Sequence, residues 1–225
     1  MKTIGLLLAL VLGTLPICQA QNTNIDYNQF IRETQKNSSE GGKINIVWWI
    51  PLEFWEITLK KNKSLTDEQV VNFIEELRPY SIFAVIQGDM GAMGNLSYVP
   101  LDSIKNNISV QDNDHKNYYP LAPEKLDYAL QTLLSNLKPV LKNAMGQLGE
   151  NMNFFVFSDK KENGKRVSDP YAKGNVQLNV RNKEYKWRTP LGTLMPLKYC
   201  PKDKEDMNGS WEYCPWDGGK LLLKK

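Results

Sequence analysis

Two cysteines and two aspartates near the C-terminal end of the chain recur at one spacing. Tyr199-Cys200-Pro201-Lys202-Asp203 is followed, fourteen residues on, by Tyr213-Cys214-Pro215-Trp216-Asp217-Gly218. Two thiols and two carboxylates on paired tight turns make a ligand set for a divalent ion: Cys200, Asp203, Cys214 and Asp217. The same cysteines can instead bridge to one another. Each aspartate would then cap its own turn by accepting backbone N–H groups. The compartment decides between these chemistries.

The first residues speak to the compartment. Lys2 begins a short positive region, Ile4 to Leu15 is apolar, and Cys18-Gln19-Ala20 places small residues at −3 and −1 of a cleavage point. This is the three-part pattern of a secretory signal peptide over residues 1–20, cut after Ala20, and its apolar run is too short to span a bilayer. The protein is therefore expected in the periplasm or outside the cell. Cys18 leaves with the signal, so Cys200 and Cys214 remain as the cysteine pair. In an oxidising compartment a Cys200–Cys214 disulfide is the preferred reading, and no cofactor is needed. Closing a loop of that size is worth about 3 kcal/mol in the chain-entropy account.

The alternative is zinc. The paired turns resemble the two knuckles of a zinc ribbon, which often read Cys-Pro-x-Cys-Gly. Here Asp203 and Asp217 stand where the second cysteines would be, so the tail resembles a degenerate ribbon. The likeness covers about 25 residues and implies a small metal-binding fold, not an activity. As a whole the chain resembles secreted proteins of Gram-negative bacteria, which implies export and no particular reaction.

Other chemistries find little support. His115 is the only histidine, so three-histidine metal sites are excluded and any serine or cysteine triad would have to use it. Asp112 and Asp114 lie beside it, but Lys116, Asn117 and Pro123 occupy positions where a calcium loop needs a ligand, a glycine and a glutamate. That segment reads as an exposed polar loop. Gly88-Asp89-Met90-Gly91-Ala92-Met93-Gly94 lacks the spacing of a phosphate loop and reads as a strand-to-strand connection using positive φ. Glu53, Glu56, Glu75 and Glu76 could serve a carboxylate-based hydrolase acting on a polysaccharide or cell-wall polymer. On amphipathic helices such residues are ordinarily the solvated face. The net charge of +3 comes without a basic run or stripe. Nucleic-acid binding is not expected, nor membrane insertion once the signal is gone.

These residues must be positioned by the rest of the chain. Residues 21–42 are polar and read as a linker with at most a short helix near Asp26 to Thr34. Lys43 to Ile50 and Tyr80 to Gln87 are β-branched and aromatic, as buried strands are. Between them, Pro51 opens one helix. Thr66 with Gln69 sets a capping box for a second, with Leu65 and Val70 as its hydrophobic staple. Shorter strands are expected near 96–100 and 103–110. Leu126, Leu130, Leu133, Leu137, Val140 and Ala144 form the seam of the longest helix, with Pro139 predicted to kink or restart it. Phe154 to Phe157, the Asn163-Gly164 turn, Val176 to Val180 and Tyr185 to Thr189 read as hairpins.

The expected fold is α+β. A largely antiparallel sheet packs against helices over 43–198, and a small ribbon-like β-hairpin tail spans 199–225. Trp211 and Trp216 are expected to seal that tail onto the body. The expected role is non-catalytic binding or structure, toward a protein or saccharide partner, with the hydrolase and metal-binding readings as alternatives.

Overall fold

The computed structural model describes residues 25–61 and 63–224. The expected signal peptide over 1–20 and its cleavage point lie outside the described residues. In chain order the strands are β1 (Gln35–Ser38), β2 (Lys43–Ile50), β3 (Tyr80–Met90), β4 (Leu96–Tyr98), β5 (Ile108–Gln111), β6 (Asn117–Tyr118), β7 (Asn153–Ser158), β8 (Gly174–Val180), β9 (Lys183–Thr189), β10 (Lys198–Tyr199), β11 (Asp206–Met207) and β12 (Leu222–Leu223). The helices are α1 (Tyr27–Thr34), α2 (Leu52–Lys60), α3 (Asp67–Leu77), α4 (Leu101–Lys105), α5 (Tyr128–Met145) and α6 (Gln147–Glu150). The protein is α+β, and every strand pairing among the described residues is antiparallel.

β3 is the spine of the main sheet. Its residues from Ser81 to Gly88 alternate side chains into two buried layers, which is why the sequence reads as a continuous apolar run. β2 lies along one edge, from Lys43↔Asp89 to Ile50↔Ile82, and carries β1 on its far side. The other edge of β3 is shared by β7 along its first half and β4 at its end. A second sheet, ordered β6-β5-β8-β9, faces the first. Trp49 and Phe83 from the main sheet meet Trp187 of β9 at centroid distances of 5.9 and 5.7 Å. Trp48 points the opposite way and meets Phe54 of α2 edge-on at 5.0 Å. Helices thus cover the other face, with Phe54, Trp55, Val70, Ile74, Leu77 and Leu130 in the same core.

The N-terminal segment does more than link. Asp26 caps α1 by accepting from the N–H groups of Asn28 and Gln29. Phe30 is fully buried, and the Thr34 carbonyl accepts the Trp187 indole N–H at 2.8 Å. Residues 27–38 are therefore packed into the body. The strand expected over 103–110 is replaced at its start by α4: Pro100 fixes the entry, and one helical turn buries Ile104 completely. Only Ile108–Gln111 is extended. Pro139 does not restart α5, which runs unbroken through it, with Pro139 and Ser135 on an exposed face. Asn163-Gly164 does turn the chain, with Gly164 at φ 79°, but leads only to a bridge between Lys160 and Arg166; β7 pairs with β3 instead. The Gly88–Gly94 segment joins β3 to β4 with Gly94 at φ 80°.

α3 carries the capping box. The Thr66 hydroxyl accepts from Gln69 N–H at 3.2 Å, and the Gln69 side chain accepts from Thr66 N–H at 2.9 Å. Thr66→Ala removes one partner of this reciprocal pair. Denaturant unfolding is expected to show a loss of about 1 kcal/mol, with Thr66→Ser near wild type.

Candidate metal centre

The tail has its own small sheet and its own small core. β10 lies in the middle, pairing Tyr199 with Asp206 of β11 and with Leu222 of β12. Cys200, Met207, Cys214 and Leu221 form a buried cluster separate from the main core. So small a core stabilises little by itself.

The two repeats are the same turn in three dimensions. In the first, Lys204 N–H donates to the Cys200 carbonyl at 2.9 Å and Cys200 N–H to the Glu205 carbonyl at 3.0 Å. In the second, Gly218 N–H donates to the Cys214 carbonyl at 2.9 Å and Cys214 N–H to the Gly219 carbonyl at 2.8 Å. Both turns use a left-handed residue at the equivalent place, Lys204 at φ 62° and Gly218 at φ 71°. Glycine suits that conformation, which accounts for Gly218 in the second copy.

The turns bring the four ligand atoms of Cys200, Asp203, Cys214 and Asp217 within 4.8 Å of one another. They meet crosswise: the Cys200 thiol lies 3.7 Å from Asp217 Oδ2, and the Cys214 thiol 3.3 Å from Asp203 Oδ2. With ordinary zinc–sulfur and zinc–oxygen bond lengths, a tetrahedral site has sulfur–oxygen edges of about 3.6 Å. Backbone groups also favour charge on the sulfurs. Asp203 N–H donates to Cys200 Sγ at 3.4 Å, and the Trp216 and Asp217 N–H groups reach Cys214. Burial nevertheless dominates at Cys214 and pushes its thiol up to about 11. Asp217 is already prepared as an anion: Gly219 N–H, 2.7 Å from its Oδ1, holds its carboxyl below the usual range against the effect of burial.

Both cysteines are free and buried in the structure. No Cys200–Cys214 bridge, the pairing preferred from the sequence, joins them here, but the two thiols lie within reach of each other, and each also touches a carboxylate of the opposite knuckle. The turn-capping expected of the aspartates holds for Asp217 Oδ1 but leaves both Oδ2 atoms directed at sulfur. Trp211 and Trp216 do not seal the tail. They are 40% and 74% exposed, because the four-residue core is filled by the cysteines, Met207 and Leu221.

The remaining candidates lie elsewhere. His115 is exposed, in a left-handed turn. Asp112 is buried, contrary to a wholly exposed loop. It accepts from the Asp114 and Lys116 N–H groups at 2.9 and 3.0 Å and from Tyr118 at 3.1 Å, and it pairs with Lys161 at 3.0 Å. Burial pushes its carboxyl up, but these partners, Lys161 foremost, outweigh it and leave it below the ordinary value. Stability from such a depressed carboxyl is complete above the unfolded value near ~3.9 and is lost as pH falls through the lower folded one. Asp112→Asn is accordingly expected to cost about 1–3 kcal/mol at pH 7, with the gap to wild type closing only well below pH ~4 in acid titrations of unfolding.

Of the four glutamates, Glu56 pairs with Lys60 and Glu75 with Arg78, both on the surface. Glu76 is exposed, and Glu53 is buried against Arg166 at 2.6 Å. That ion pair spans 113 residues and has no local sequence signal. No helix among the described residues is long and apolar enough to cross a membrane. No protein-family model, curated protein or solved structure matches the chain.

Proposed function

We propose that this is an exported, non-catalytic binding protein whose C-terminal ribbon is folded around one zinc ion held by Cys200, Asp203, Cys214 and Asp217. The observation that carries the metal reading is the convergence of four ligand atoms, with sulfur–oxygen spacings of 3.7 and 3.3 Å, from two turns of identical hydrogen bonding. A disulfide would need only the two sulfurs; it gives no reason for both carboxylates to face them. The set of two sulfurs and two oxygens suits zinc better than calcium or magnesium, which take oxygen alone. All four protein ligands would be occupied, so the ion's role is structural rather than catalytic. Zinc would displace the thiol protons and hold both sulfurs as thiolates, which also protects them from oxidation.

Native intact mass of the mature protein, repeated after denaturation with and without reductant, tests this. The expected species carries one zinc ion and yields two alkylatable thiols when denatured. A metal-free species lighter by two hydrogens would replace the zinc reading with a disulfide clip. The same spectrum reports whether the chain is cut after Ala20.

A further inference from the structure

A cleft of about 570 Å³ opens where the two facing sheets part, beside the β8–β9 turn. Its floor is a cross-strand pair of carboxamides, Asn45 on β2 directly opposite Gln87 on β3. They are 8% and 7% exposed, and Gln87 Nε2 donates to Asn45 Oδ1 at 2.9 Å. Gln87 Oε1 is enclosed and has no hydrogen-bond partner among the described residues. The buried hydroxyl of Tyr185 lies beside the side chains of Gln87 and Ser38. Both carboxamides line the cleft, so its floor offers amide donors and acceptors to a polar ligand.

The rim is cationic. Lys43, Arg181 and Lys183 face a single acid, Glu40, and none of the four is in an ion pair among the described residues. Lys183 is positioned by a 2.7 Å hydrogen bond to the neutral Ser38 hydroxyl. Arg181 stands at φ 54° in the two-residue turn between the paired residues Val180 and Lys183. Glycine or asparagine would fit that conformation with less strain. No aromatic ring lines the cleft, so it offers no stacking platform to a planar base or the flat face of a neutral sugar.

We infer that this cleft binds a small, hydroxyl-rich carboxylate, an acidic sugar of the uronic-acid class. Its carboxylate is held by the Arg181 fork and the two lysines, and its ring hydroxyls meet the Asn45–Gln87 carboxamides. The volume suits a unit of one or two rings. This gives a place and a ligand class to the binding role proposed above, and it uses no residue of the zinc centre.

The test is calorimetric and NMR titration of the full mature protein with digalacturonate, with neutral digalactose and inorganic phosphate alongside. Saturable binding of digalacturonate is expected, weakened at least ~tenfold by Arg181→Asn and by Gln87→Met, and weakened by salt. Digalactose should fail to saturate. Arg181→Asn relaxes the turn while removing the charge, so its loss of binding cannot be attributed to misfolding. No saturable binding of digalacturonate up to about 10 mM would overturn the inference. So would phosphate binding as tightly as digalacturonate with Gln87→Met unaffected, which would make the rim a simple anion patch. Either failure, with zinc still found by native mass, would strike the cleft alone; absence of zinc with digalacturonate bound would strike the metal reading alone.

Discussion

Treatment with a chelator and reductant is expected, on the zinc proposal, to raise amide exchange across residues 198–223 by at least ~10³-fold, while the two large sheets keep their protection. The tail's order rests on two knuckles, three short strands and a four-residue core. That core cannot offset the entropy of ordering some two dozen residues. Structural zinc contributes about 10–16 kcal/mol in small zinc modules, enough to decide whether such a unit is folded. The body has a core of its own, joined by Trp49, Phe83, Phe157 and Trp187, and contains none of the four ligands. Loss should therefore be confined to the tail. Exchange unchanged by the chelator would show that zinc does not hold the ribbon together.

Arg166→Ala is expected to lower the unfolding free energy by about 3–5 kcal/mol, measured by denaturant unfolding at pH 7. Arg166 Nη1 donates to Glu53 Oε1 at 2.6 Å and its Nε to Asp159 Oδ2 at 2.7 Å. Asp159 is almost wholly enclosed and also accepts the Ser168 N–H at 2.7 Å. Burial works against the Arg166 charge, but Glu53 and Asp159 outweigh it and hold the guanidinium firmly protonated. Truncating the arginine leaves two buried carboxylates without a counter-charge, and Glu53 Oε2 already lacks a partner among the described residues. Replacing all three residues together, as Glu53→Met, Asp159→Leu and Arg166→Met, should recover much of the loss, because desolvation of the charges is removed with the pairing. A loss below about 1 kcal/mol for Arg166→Ala would show that the ion group is a solvated surface feature.

Much of this was legible because it is local. The 43–50 strand, the Thr66 capping box with its helix, and the β8–β9 hairpin each depend on neighbours in sequence, through side-chain alternation, capping geometry and turn chemistry. The four candidate ligands were also legible, because the Cys-Pro-x-Asp repeat writes the same turn twice. The sequence misled where a short-range choice was close. Ser103 to Val110 holds enough β-branched residues to read as one strand, but Pro100 and the burial of Ile104 favour a helical turn at its start.

By itself, then, the sequence determined the α+β class, the paired knuckles and most of the elements, since propensity and periodicity act within a few residues. Tertiary structure alone decided three things. It brought both sulfurs and both carboxylates to one point, each sulfur against the opposite knuckle's carboxylate. It buried Glu53 and Asp159 around Arg166, across 113 residues in the longer case. It set Asn45 opposite Gln87 beneath Arg181, where β2, β3 and the β8–β9 turn converge. Glu53 and Arg166, and Asn45 and Gln87, are far apart along the chain, and the ligands of the tail sit on separate turns; in each case only the folded chain fixes the distance between partners.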